Sequence, residues 1–506
     1  MQYLIGLDIG TTAEKIALFN TEGRMLAVST QEYTLDTPRV NFVEVPAETY
    51  WNAFKEGVKE IRKQYVISDT DSCALAISAQ GETLFCVDES GNCLRKAIVW
   101  MDNRAEKEAA ALKETFGDEL CYRTTGQVSF EPCWPASKIL WIKNNEKEIF
   151  DKTAKFALIE DYFIYRLTGR WVTEGSLVCS TTYWDIIHKR YWKDVLDYIG
   201  IGESQLPEVR ESGEAVANIL PEAADELGLC KNLTVCTGCL DQAAGAIGVG
   251  NVKEGLFSEN IGAALAICVP VSKPVFDPDR NMPLHYFAVP DTYMIHTFTN
   301  GGMTLRWFRD KFCQQEMDIE SMTATDAYDL LSKEADLAPP GSDGLVMLPH
   351  LSGSMAPDMN AKAKGVWFGF TLQHGKSHFV RAIMESIGYI IRRNIEALGS
   401  MGIEVQEIRS LGGGSKSKVW NQIKCDILGI KMTTMKSDQA SAALGAAILA
   451  GKAVGVFDSI EDAVESMAQV KDEYYPNSVN RQVYDYGFTL YNKLFHDLNE
   501  CFDATV

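Results

Sequence analysis

Apolar positions along the chain alternate between short near-continuous runs and a spacing of three to four, the pattern of strands interleaved with helices. Leu4–Asp8 is apolar, Lys15–Asn20 alternates, Thr21-Glu22-Gly23-Arg24 supplies a turn and Met25–Gln31 returns, which predicts a three-strand meander. Glu48–Gln64 repeats apolar residues at helical spacing, and Cys73–Ile77 predicts a strand followed by a hairpin-like unit around Val87–Asn92. Residues 102–115, 136–150 and 155–169 read as helices or helix–strand connections. Leu233–Cys236 is a short apolar strand leading to a small-residue helix, Asp241–Val249. Gly255–Val271 opens a second strand-rich region that echoes the N-terminal meander and predicts an internal duplication. Helices dominate 303–336 and 376–401, and the strand Glu407–Leu411 passes through Gly412-Gly413-Gly414 into a helix at Lys418–Leu428. The alternation predicts an α/β chain, and its 506 residues exceed one core, so two domains are expected, 1–250 and 251–506.

Charge narrows the partners. Lys plus Arg is 48 and Asp plus Glu is 69, a net −21, which disfavours a nucleic-acid partner. A phosphate site must then come from backbone amides, helix N-termini and a metal ion. The start, MQYLIGLDIGTT, lacks the marks of a signal peptide, and the apolar stretch Ala440–Phe457 is Gly/Ala-rich and broken by Lys452, so a buried helix and no membrane span are expected. Thirteen scattered cysteines suit a reducing, cytoplasmic location. A homodimer is the one protein assembly carried as an expectation.

Three glycine turns each follow a predicted strand: Asp8-Ile9-Gly10-Thr11-Thr12, Asn260-Ile261-Gly262-Ala263 and Leu411-Gly412-Gly413-Gly414-Ser415. Glycine lets backbone N–H groups approach phosphate oxygens, the two threonines add hydroxyl donors, and Asp8 suits a contact to a magnesium ion held by nucleotide phosphates. Asp241 stands between a strand and a helix opened by small residues that would let a ligand and the opposite domain come close. A carboxylate there can take a hydroxyl proton during phosphoryl transfer, or simply cap the helix; local context leaves both open. Cys236-Thr237-Gly238-Cys239 has no second cysteine pair or histidine pair at metal spacing and is read as packing beside Asp241.

These segments, in this order, resemble the FGGY carbohydrate kinase family, which includes xylulokinases and glycerol kinases. GLDIGTTAEKIALFN resembles the first phosphate motif, AISAQGETLFCVDESGNCLRKAIVWMDNRA the sugar-proximal segment and TGCLDQAAGAIGVG the catalytic-aspartate motif. FTNGGMTLRWFRD and GVWFGFTLQHGKSHFVRAIMES resemble two later segments, LGGGSKSKVWNQIKCDILG the adenosine motif and QASAALGAA the helix after it. The resemblance implies two ribonuclease-H-like domains of the actin and hexokinase type around a deep cleft. It implies ATP and Mg2+ as cofactors, Asp241 as general base and Asp8 at the metal. Gly10, Thr11, Thr12, Gly262, Ala263 and Gly302 would meet the phosphates, and Gly413, Gly414 and Lys418 would line the nucleotide.

Ala263 departs from the threonine usual in the second loop, removing one hydroxyl donor worth roughly 1 kcal/mol and leaving a weakened, sugar-sensing relative as an alternative. In the sugar segment, Gln80-Gly81-Glu82-Thr83 keeps a carboxylate like that of glycerol kinases but lacks their arginine; Gln242 also resembles glycerol kinases, whereas Ala243–Gly248 reads like xylulokinases. The expected acceptor is a four- or five-carbon open-chain sugar, a ketopentose such as xylulose or else a polyol. Its site would hold Gln80, Glu82, Trp100, Asp102 and Gln242, with Trp100 also readable as a core aromatic.

Overall fold

The computed structural model describes residues 2–68, 71–436 and 440–504. Packing does not follow a single break near residue 250. One compact unit takes Met1–Val252, Pro270–Ile295 and Ala440–Gln469, and the other takes Lys253–Val269, His296–Gln439 and Val470–Val506. Gln439, which opens the QASAALGAA motif, lies outside the described residues.

The first unit is built on a sheet of β1 (Gln2–Ile9), β2 (Ala13–Phe19), β3 (Met25–Glu32), β4 (Ser72–Ala79), β5 (Ala215–Asn218), β6 (Thr234–Cys236) and β7 (Cys239–Leu240). Its order is β5-β6-β4-β1-β2-β3, with β7 pairing β4 beyond β6. The expected meander is β1–β3, and β1, β4, β6 and β7 run parallel. β1 is apolar on both faces because helices cover both. On one side lies α1 (Ala47–Gln64), whose Tyr50, Trp51, Phe54, Val58 and Ile61 are buried at helical spacing. On the other lies the helix Ser441–Ala453, which is why this late segment belongs to the first unit. It approaches so closely that a Cβ on Gly6 would stand 1.7 Å from the Ala443 carbonyl oxygen.

The same helix explains the small residues after Asp241. They form α2 (Asp241–Gly248), and a Cβ on Gly248 would meet the Ser441 oxygen at 1.8 Å, while one on Gly445 would meet the Ala244 oxygen at 2.0 Å. These positions are small so that two helices of one unit can touch backbone to backbone, and the expected use for a ligand is not what fills them. The apolar stretch from Ala440 thus forms the expected buried helix, Ser441–Ala453, followed by a turn. No described helix is long and apolar enough to cross a membrane.

The second unit contains β8 (Leu256–Ile261), the first part of β9 (Ala264–Val271), most of β10 (Tyr293–Asn300), β11 (Glu407–Leu411), β12 (Lys431–Met435) and β13 (Val470–Tyr474). Their order is β10-β9-β8-β11-β12-β13, with β8, β11 and β12 parallel and β13 antiparallel at the edge. Apart from β7 in the first sheet and the strand Leu284–Tyr286 beyond β10 in the second, this repeats the order of the first sheet: a three-strand meander, two parallel strands, an antiparallel edge. The echo heard between residues 4–31 and 255–271 is therefore a repeated topology.

Candidate active site

In the first unit Ile9, Ala79 and Leu240 end three neighbouring parallel strands in one register. The residues that follow them, Gly10, Gln80 and Asp241, leave the sheet side by side at its carboxyl edge, where open α/β sheets place their ligands. The register also sets Asp8 beside Ser78, whose hydroxyl donates to Asp8 Oδ1 at 2.8 Å.

The Gly10–Thr12 loop is braced from behind. Gly10 N–H donates to the Ala13 oxygen at 3.0 Å, Tyr33 N–H to the Thr12 oxygen at 2.9 Å, and the Tyr33 hydroxyl to the Gly10 oxygen. Trp100 donates its indole N–H to Thr11 Oγ1 at 2.9 Å, so Thr11 keeps its own O–H as a donor toward an oxyanion. Trp100 is 38 % exposed and is not a core aromatic.

Two carboxylates, Asp8 and Glu82, act on a third, Asp241. Burial pushes Asp241 up to about 7, helped by the charges of Asp8 and Glu82 and opposed by hydrogen bonds from the Gln242 backbone and side-chain amides. Burial raises Asp8 as well, against Ser78 and Lys15. Glu82 is raised by burial and held down by a bond from Ser180 and by Lys138. Asp241 is the first residue of α2, whose N-cap is Leu240. The strand that carries Asp241 is fixed by its backbone: Gly238 N–H donates to Glu160 Oε1 at 2.7 Å and Leu240 N–H to Ser176 Oγ at 3.1 Å. A Cβ on Gly238 would meet the Ile77 oxygen at 1.7 Å. Cys236 and Cys239 are buried at this approach, with both thiols pushed up by burial, Cys236 to about 12.

Two expected sugar contacts are placed differently. Asp102 is fully buried; its oxygens accept from Val43 N–H at 2.6 Å and from Arg104 N–H, Nε and a terminal nitrogen at 3.0, 2.8 and 2.7 Å. That carboxylate closes the turn below Trp100 and has no lone pair turned to a ligand. Gln242 addresses Asp241 itself. Gln80 is buried, donates to the Tyr50 hydroxyl at 3.2 Å and leaves its Oε1 without a protein partner.

The second unit brings its glycine turns together around a cavity of about 330 Å³ lined by Gly262, Ala263, Gly302, Gly413 and Gly414. Gly302 N–H donates to the Gly262 oxygen at 3.0 Å and Met303 N–H to the Ala263 oxygen at 2.9 Å. A Cβ on Gly302 would stand 2.4 Å from that Gly262 oxygen, and one on Gly414 would strike Ile261 at 2.7 Å, so both glycines are required by close approach. Arg306, Tyr328, Lys416 and Trp420 also line the cavity, none of them anticipated. Lys418 is not in the lining: it opens the helix Lys418–Leu428, its side chain is 77 % exposed and its ammonium lies 3.9 Å from Asp472.

The chain matches two family models, the FGGY family of carbohydrate kinases, N-terminal domain, over residues 3–248, and the C-terminal domain of the same family over 268–454. It is 30% identical over 505 residues to a xylulose kinase of Bacillus subtilis, covering 99% of this chain and 98% of that one. It is also 32% identical over 468 residues to a gluconokinase of the same organism, covering 92% and 90%. A ligand-bound xylulose kinase structure from Lactobacillus acidophilus superposes with a TM-score of 0.88 at 27% identity over 98% of both chains. A gluconate kinase structure from that organism gives 0.87 at 27%, again over 98% of both. The fold is the two-domain actin-like one of these sugar kinases, and the chain belongs to the FGGY family of carbohydrate kinases.

Proposed function

We propose that this kinase transfers the γ-phosphoryl group of ATP to a hydroxyl of a neutral open-chain sugar, a ketopentose such as xylulose, with Asp241 as general base. The observation that supports this is a carboxylate at a parallel strand end, pushed up to about 7, next to Gln80 across the strand register and under the charge of Glu82. A carboxylate raised toward neutrality takes a proton more readily as the oxygen begins to bond to phosphorus. The acceptor O–H bond breaks toward Asp241, an oxygen–phosphorus bond forms, and the bond from the γ-phosphorus to the bridging oxygen breaks to release ADP.

In this reading the first unit binds the sugar and the second the nucleotide. Thr11 and Thr12 supply N–H and O–H donors to transferring oxygens, and Gly262, Gly302, Gly413 and Gly414 shape the nucleotide cavity. No group of three or more acidic, histidine or cysteine side chains that could hold a metal occurs among the described residues. Asp8, partly buried with one oxygen bonded to Ser78, fits a single contact to Mg2+ carried in on the nucleotide, where the ion would neutralise phosphate charge. We place the enzyme in the cytoplasm with its nucleotide.

Relatives named for xylulose and for gluconate match about equally well. Charge favours the neutral sugar. The charges of Asp8 and Glu82 already raise Asp241, and Lys138, the cation that acts on Glu82, is committed to two backbone carbonyls. A carboxylate-bearing acceptor would add another anion to this group. Glu82 and the missing arginine beside it also favour a second reading, a polyol acceptor. A coupled ADP-release assay with D-xylulose, L-xylulose, D-ribulose, L-ribulose, xylitol, erythritol, glycerol and D-gluconate decides. One ketopentose well above the rest is expected; xylitol or glycerol on top establishes the polyol reading, and D-gluconate on top overturns the charge argument.

A further inference from the structure

Lys138 lies in the helix Pro135–Asn145 with no solvent exposure, flanked by buried Ser137 and Ile139. Burying an ammonium group is costly unless its protons are bonded. Here they go to two backbone carbonyls, Glu82 at 2.9 Å and Val99 at 3.0 Å. The two acceptors belong to different segments of the chain, and each borders a residue expected at the sugar. Glu82 itself has φ 55°, a left-handed backbone that a non-glycine residue holds only under constraint. Val99 precedes Trp100, whose indole reaches Thr11. Ser180, also fully buried, bonds the Glu82 carboxyl from another side. A methionine would fill the space without the cost of burying charge; only a donor at the end of a long side chain ties the two segments together.

We propose that Lys138 is a positioning residue for the acceptor, clamping the Glu82 and Val99 carbonyls so that the Glu82 carboxylate and the Trp100 ring present one fixed face to the sugar. The proposal rests on the reading that Glu82 and Trp100 face the sugar. Lys138→Met keeps the apolar stem and removes the donors. Losing two charge-assisted hydrogen bonds should raise the KM for the acceptor about 10-fold or more, while the KM for ATP stays within about twofold. If Lys138→Met fails to fold by circular dichroism, Lys138→Arg replaces it; its splayed donors cannot meet both carbonyls alike, and the same acceptor-only rise, smaller, is expected. Methylammonium added to Lys138→Ala should lower the acceptor KM again. Equal rises in both KM values, or no rise in either, overturn the clamp. Glu82→Ala separates the two claims: an acceptor KM unmoved by it overturns the sugar-facing reading. An acceptor KM moved by Glu82→Ala but not by Lys138→Met overturns the clamp alone.

Discussion

The two sheets share one strand order, yet their first turns are loaded differently. In the first unit the turn after the leading strand reads Asp8-Ile9-Gly10-Thr11; in the second it reads Asn260-Ile261-Gly262-Ala263. Isoleucine and glycine recur at the same places because both turns follow a buried strand and both need backbone exposed. The side chains around them diverge. One turn has a carboxylate and hydroxyls, with Glu82 and Asp241 beside it; the other has an amide and a methyl, and its Gly262 and Ala263 carbonyls accept from Gly302 and Met303. One strand order carries ionisable side chains at its first turn in one unit and close-packed glycines in the other. On the proposed reading, Ala263 belongs to this division of labour.

Removing the proposed base tests that division most severely. Asp241→Asn should lower kcat by about 10²–10⁴-fold, read in the ADP-release assay. Its melting temperature should not fall: burial raises this carboxyl in the folded state, so ionisation costs stability as pH rises from the unfolded value toward 7, and the amide escapes that cost. Thr11→Ala removes a phosphate donor and the partner of Trp100, so the KM for ATP should rise about 5–10-fold. Glu82→Gln removes one charge that raises Asp241, and the acid limb of kcat/KM should move to lower pH; an unmoved limb would separate the two carboxylates. Ala263→Thr should have the smallest effect, within about threefold in kcat/KM. A large loss there would mean the second turn carries more than backbone.

Strand ends and turns were legible because an apolar run followed by glycine says where a chain leaves a sheet, and Gly10, Gln80 and Asp241 all sit at such points. Partners were not legible. Asp102 stands in the right segment, yet Arg104, two residues on, takes its carboxylate, and no spacing announces that. Lys418 and Lys138 both read as helix lysines; one is 77 % exposed and the other has no exposure, a difference made by chain segments that come from elsewhere. The small residues after Asp241 were visible, but their reason lies about 200 residues away, in Ser441 and Gly445.

The most direct measurement is the pH profile of kcat/KM for the acceptor from about pH 5 to 9, taken for the native enzyme and for Asp241→Asn. With Asp241 pushed up to about 7, activity should rise tenfold per pH unit below that value and level off above it, while the residual rate of Asp241→Asn shows no such limb. A native profile flat across neutrality, or the same limb persisting in Asp241→Asn, would contradict Asp241 as the base.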